Sequence, residues 1–393
     1  MLITYRLADS VGLDSRILVN VAGGIFILPF FLFSAPAGQL ADKYERSYLV
    51  QLLKIAEIVT AAAAILAFYI GDVYFLMVVL FLMGTQSTFF GPIKYSILPQ
   101  LLRKDELIAG NGLVQMGTFL AILVGTIFGG LFILRQGGIE LTSIMVFSIA
   151  AVGWLASLYI PKTIPIAPDL KVSPNIVKST ARIVANVLPY KEIVLSILCI
   201  SWFWLIGITF LSQFPTYSRL VIGADEQVAT LFLATFSVGI GLGSMACNSF
   251  LKGEISVRYV PWAAVGMAAA CFLLYLVSQR PPLEPGAPDI GIVAFLSSWD
   301  NLAIVACLLA ISFAGGLYIV PLYTMIQART DKSRMAGVVA CSNVSDSFFM
   351  VVSAVVTSVL LAMGMDIPHI FMIMSVLTLA VAIVIRKYVV NRV

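Results

Sequence analysis

The stretch Gly38-Gln-Leu-Ala-Asp-Lys-Tyr-Glu-Arg46 decides how the rest of the chain is read. It is a short charged hinge between two apolar runs, residues 17–41 and 48–70. Each run is close to the roughly 20 residues that cross a bilayer as a helix. Lys and Arg beside spans mark the cytoplasmic side, so Lys43 and Arg46 orient the flanking helices.

Composition sets the class. Of 393 residues, 60% are hydrophobic and 11% charged, with a mean hydropathy of +1.01. Soluble domains carry about 25% charged residues, so this is an all-α integral membrane protein. The net charge of +4 is spread over loops between apolar runs, which argues against nucleic acid as a partner. The five cysteines fall inside apolar runs at no metal or disulfide spacing, and read as small core residues.

Nine further apolar runs follow, at about 74–98, 108–134, 141–160, 192–218, 227–251, 259–277, 299–325, 337–363 and 367–388. The break in composition is 161–191, with five prolines and five basic residues. Ile176, Val177, Ile183, Val184, Val187 and Leu188 recur there at helical spacing, which suits a helix lying in the inner membrane surface. The expected organisation is a helix bundle over 1–160, a cytoplasmic linker over 161–191 and a second bundle over 192–393. The loop Lys252–Arg258 occupies the place in the second bundle that Gly38–Arg46 holds in the first. Of the 24 Lys and Arg residues, eighteen fall on the inner side of this topology and five (Arg6, Arg16, Arg135, Arg219, Arg280) on the outer, with Lys94 within a span. Linker and C-terminus are therefore expected in the cytoplasm of a multi-pass inner-membrane protein.

A charge within a span costs about 2.5–3.5 kcal/mol on insertion scales and is a functional candidate by default. Lys54 and Glu57 share one helix face. Lys94 lies near the inner end of its span, and Asp346 about 13 Å into the span that starts at Gly337. Asn111, Gln115, Asn343 and Ser345 add neutral hydrogen-bonding groups. These residues read as a polar patch for a charged or zwitterionic head group in a cavity between the bundles. The competing reading makes Lys54–Glu57 a structural pair, with Lys94 snorkelling to the inner surface. No catalytic constellation is visible: the lone His369 lacks the acid five residues on that an acyltransferase needs, because Met374 stands there. No enzyme activity, cofactor or metal site is expected.

Gly-x-Leu-Ala-Asp-x-x-x-Arg resembles the cytoplasmic loop signature of the major facilitator superfamily, a fold of two six-helix halves. That resemblance implies a gate of Gly38, Asp42 and Arg46, with Asp42 at the N-terminus of a helix in the opposite half, near 334–337. The stretches from Phe90-Gly-Pro-Ile-Lys-Tyr-Ser and from Asp105-Glu-Leu-Ile-Ala-Gly-Asn, with Gly243-Ser-x-x-x-Cys-Asn and Val320-Pro-Leu-Tyr-Thr-Met-Ile-Gln, are similar to the bacterial lysophospholipid transporter family. They also resemble the transporter portion of transporter–acyltransferase fusions. What that family implies is inward flipping of lysophospholipids, chiefly lysophosphatidylethanolamine, for reacylation by a cytoplasmic acyltransferase or acyl-activating enzyme. Lys94 would then take the phosphate and Glu57 or Asp346 the amine, with membrane lipids as surroundings. The family's acidic, Asn-containing first helix has no counterpart in the sequence. The expectation is a chain that begins inside or after that helix, with its tail at 2–7 and its N-terminus outside. Two other readings stand beside this one: an exporter of small amphiphilic drugs, and a non-transporting membrane module serving an acyltransferase.

Overall fold

The computed structural model describes residues 15–133, 136–173, 175–280 and 289–388. The expectations for 2–7, Arg6, Arg135 and Arg392 lie outside them. Thirteen α-helices occur among the described residues, and eleven helices are long and apolar enough to cross a membrane. In chain order these are α1 Ser15–Lys43, α2 Arg46–Ile70, α3 Val73–Leu101, α4 Leu107–Ile133, α5 Gly138–Ser157, α6 Ile176–Val187, α7 Lys191–Tyr217, α8 Glu226–Leu251, α9 Val260–Val277, α10 Ile292–Leu296, α11 Trp299–Arg329, α12 Met335–Ala362 and α13 Ile367–Tyr388. Short α6 and α10 are the two that do not span.

The chain divides into two compact units, one of residues 1–101, 125–190 and 330–347, the other of 102–124, 191–329 and 348–393. In the first, α1 packs on α3 and α2 on both α3 and α5. The second is built around α11, which packs on α8, α9 and α7, while α13 lies against α9. Its core is a run of rings: Phe210 stacks on Phe371 and Phe236, and Phe232 meets Tyr217 and Phe295.

Two boundaries differ from the sequence reading in ways that matter for the site. Helix α11 runs on through Gln327 to Arg329, whose guanidinium pairs with Glu192 at 3.8 Å. Helix α12 starts at Met335, after a single 3-10 turn at Lys332–Arg334, which leaves the N–H groups of Ala336 and Gly337 in its first turn. A helix's first four N–H groups have no partner within it.

The linker helix α6 packs on α1, with Ser179 and Val187 buried and Ile183 and Val184 half-buried, while Val177, Lys178 and Arg182 are exposed. Of the apolar stripe, Val177 and Leu188 stay exposed.

Candidate functional site

The charged hinge is a knot of hydrogen bonds. Glu45 caps α2, its carboxylate accepting from the N–H groups of Ser47 (2.9 Å) and Tyr48 (2.8 Å) and from the Ser47 hydroxyl. The same carboxylate reaches the linker, accepting from Thr163 N–H at 2.7 Å and its hydroxyl at 2.8 Å. Burial raises the Glu45 carboxyl, but these donors outweigh it and hold the group at about 2. Two more bonds extend the tie: Ala167 N–H to Asp42 O (2.9 Å) and Ser173 N–H to Gln39 Oε1 (2.9 Å). In the sequence Glu45 is one of four loop charges, and nothing there marks Thr163 as its partner. The signal was available in part, since Glu45 directly before α2 stands where helix caps stand.

Asp42 is buried at the end of α1, facing the backbone N–H groups of Ala336 and Gly337 at the start of α12. Arg46, also buried, donates to Asp42 Oδ1 at 3.2 Å. Close approach makes this possible. A Cβ at Gly38 would lie 2.8 Å from Ala340 Cβ and 2.9 Å from Ala336 O, so α1 and α12 meet through glycine and alanine. The anion therefore sits where unpaired N–H groups and the helix dipole both favour it.

Lys94 lies on α3, half-buried, its ammonium 4.7 Å from the Tyr95 ring centroid. One turn earlier on the same face, Gly91 approaches α12 so closely that a Cβ there would lie 2.7 Å from Asn343 Nδ2. That buried nitrogen has no hydrogen-bond partner among the described residues. Asp346, one turn along α12 from Asn343, is buried and accepts from Ser342 Oγ at 3.4 Å. On antiparallel α3 and α12, Lys94 and Asp346 therefore lie about one turn to opposite sides of the Gly91–Asn343 contact.

Glu57 sits elsewhere. Its Oε2 takes Lys54 Nζ at 2.6 Å and Gln86 Nε2 at 3.1 Å, joining α2 to α3. Asn111 and Gln115 lie on α4 with different fates. Asn111 is fully buried in a reciprocal amide pair with Gln327 of α11: Nδ2 donates to Gln327 Oε1 at 2.6 Å, and Gln327 Nε2 donates back to Asn111 Oδ1 at 3.1 Å. Thr324 Oγ1 and Leu107 O complete its bonding. Gln115, also fully buried, has neither amide atom bonded among the described residues.

The profile of the Major Facilitator Superfamily matches residues 2–283. The chain belongs to the Major Facilitator Superfamily. It is similar to the lysophospholipid transporter LplT of Escherichia fergusonii, at 26% identity over 87% of this chain and 80% of that one. The LplT of Salmonella typhimurium is 26% identical over 83% and 75%. Among solved structures, a human organic anion transporter superposes with a TM-score of 0.74 at 13% identity, covering 96% and 88% of the two chains. The Escherichia coli fucose:proton symporter does so at 0.70 and 13%, covering 98% and 92%. Likeness at that identity speaks for the facilitator fold. Eleven apolar spans on that fold, with bacterial relatives, make this a multi-pass protein of the bacterial inner membrane.

Proposed function

We propose that this facilitator moves lysophospholipids inward across the bacterial inner membrane, with lysophosphatidylethanolamine as its main substrate. The observation that carries the reading is similarity to lysophospholipid transporters over most of both chains. A cytoplasmic acyltransferase, with its acyl-activating partner, consumes the product.

In this reading the candidate residues take different roles. Lys94 takes the lipid phosphate, and Asp346 takes the amine, with Asn343 between them. This pair suits a zwitterion, because it offers one cation and one anion. Glu57 already has Lys54 as a counter-charge, so it braces α2 against α3. Asn111 has its hydrogen-bonding capacity filled by Gln327 and serves to hold α4 against α11. Gln115, on α4 of the other unit, has both amide atoms open among the described residues. Gly38, Asp42 and Arg46 form the inner gate, closed when Asp42 holds the start of α12.

The test is uptake of labelled lysophosphatidylethanolamine by vesicles containing Lys94 variants. Lys94→Ala loses uptake while inserting normally, and Lys94→Arg keeps part of it, since charge survives but geometry changes. Wild-type uptake by Lys94→Ala removes Lys94 from the site. Export of amphiphilic dyes without lysolipid uptake would replace this reading by the drug-exporter one.

A further inference from the structure

A groove of about 480 Å³ runs between α2 and α5, at the end of the span away from the Gly38–Arg46 hinge. By the distribution of Lys and Arg, that end faces the outer leaflet. Its walls are Ile65 and Tyr69 from α2 and Ile144 and Phe147 from α5. Ile144 and Tyr69 are 64% and 59% exposed, which places them against lipid. Glu140 and Ser143 supply polar groups at its upper end.

A carboxylate in a helix's first turn is stabilised by the dipole in any protein, so Glu140 alone signals nothing. Ser143 is the independent observation. It is 5% exposed, it lines the groove, and its hydroxyl has no hydrogen-bond partner among the described residues. Many span hydroxyls bond back to a carbonyl one turn earlier, as Thr60, Thr85, Thr88 and Thr118 do, whereas Ser143 and its neighbour Thr142, like Ser34, Ser237 and Ser244, do not; of these, Ser143 lines the groove. A buried hydroxyl left open within a membrane is costly unless something occupies the space before it.

We infer that this groove is an outer-leaflet docking site for a single-chain phospholipid with an amine head group. The choice of occupant rests on the lysolipid reading above; the site itself does not include any residue used there. Glu140 attracts the ammonium. Ser143 lies one turn deeper, about 4.5 Å along the helix axis, where the free glycerol hydroxyl of a lysolipid reaches it. The apolar walls below take one acyl chain. The volume is at the low end of ligand clefts, about 300–1,000 Å³, and favours one chain over two. The site would gather lysolipid at the protein surface before transport.

The experiment is photolabelling of the full-length protein in phosphatidylcholine vesicles, using lysophosphatidylethanolamine with a diazirine in its acyl chain. Lysophosphatidylglycerol carrying the same group is the comparison. The expected result is label on the α5 peptide containing Ile144 and Phe147, several-fold stronger with the ethanolamine lipid. Glu140→Gln makes the two lipids equal, Ile144→Trp removes the label, and excess diacyl phosphatidylethanolamine does not displace it. Equal labelling of the wild type by both lipids, label surviving Ile144→Trp, or displacement by the diacyl lipid would overturn the inference. Labelling is read without uptake, so selective label on a protein that imports nothing sinks the transport reading alone. Uptake with unselective label sinks the docking site alone.

Discussion

Asp42 shows how much one residue settles when its surroundings are known. Its carboxylate faces the first N–H groups of α12 and takes the guanidinium of Arg46. Asp42→Ala removes a charge–dipole contact worth about 0.3–1 kcal/mol at a surface and up to about 2 kcal/mol when partly buried. A cysteine pair replacing Gln39 and Gly337 should therefore crosslink several-fold less in that variant. Unchanged crosslinking would contradict the gate. Glu45 gives the pH prediction. Its folded value of about 2 lies below the ordinary 4.5, so its contribution is present in full above 4.5 and is lost as pH falls through 2. A spin label at the exposed Ile164, beside Thr163, should stay restrained down to pH 4.5 and gain mobility toward 2. Glu45→Gln should free it already at neutral pH; a label equally restrained in that variant would show that Glu45 does not hold the linker.

Between helices, the Asn111–Gln327 pair is the clearest device. Interhelical polar contacts in membranes average about 0.6 kcal/mol and reach about 1.7 kcal/mol, and two reciprocal bonds between buried amides belong near the upper value. A double-mutant cycle with Asn111→Ala and Gln327→Ala, read by denaturant unfolding in detergent, should give a coupling of about 1–1.7 kcal/mol. Additive losses would show the pair to be incidental. The same pair marks where sequence reading stops. All eleven spans were legible to within a few residues, because apolar length is a one-dimensional property. Gln327 was not, because α11 continues four residues beyond its apolar run and the pairing partner lies 216 positions away. The linker helix was legible as amphipathic, whereas its packing on α1 depends on tertiary structure. Asp42 at a helix N-terminus was legible through the facilitator signature. Glu45 and Thr163 were not, since their contact joins segments 118 positions apart.

For the whole molecule, the facilitator fold leaves open what is carried, and the account rests on a lysolipid with head-group partners on α3 and α12. The most direct measurement reconstitutes the protein in vesicles with fluorescent lysophosphatidylethanolamine added outside. After uptake, albumin extracts what remains in the outer leaflet, and the protected fraction is counted. The account predicts a protected fraction well above that of empty vesicles. Unlabelled lysophosphatidylethanolamine should compete it away and a diacyl phospholipid should not, while Lys94→Ala should return it to the empty-vesicle level. A wild-type fraction no greater than that of empty vesicles would contradict the account.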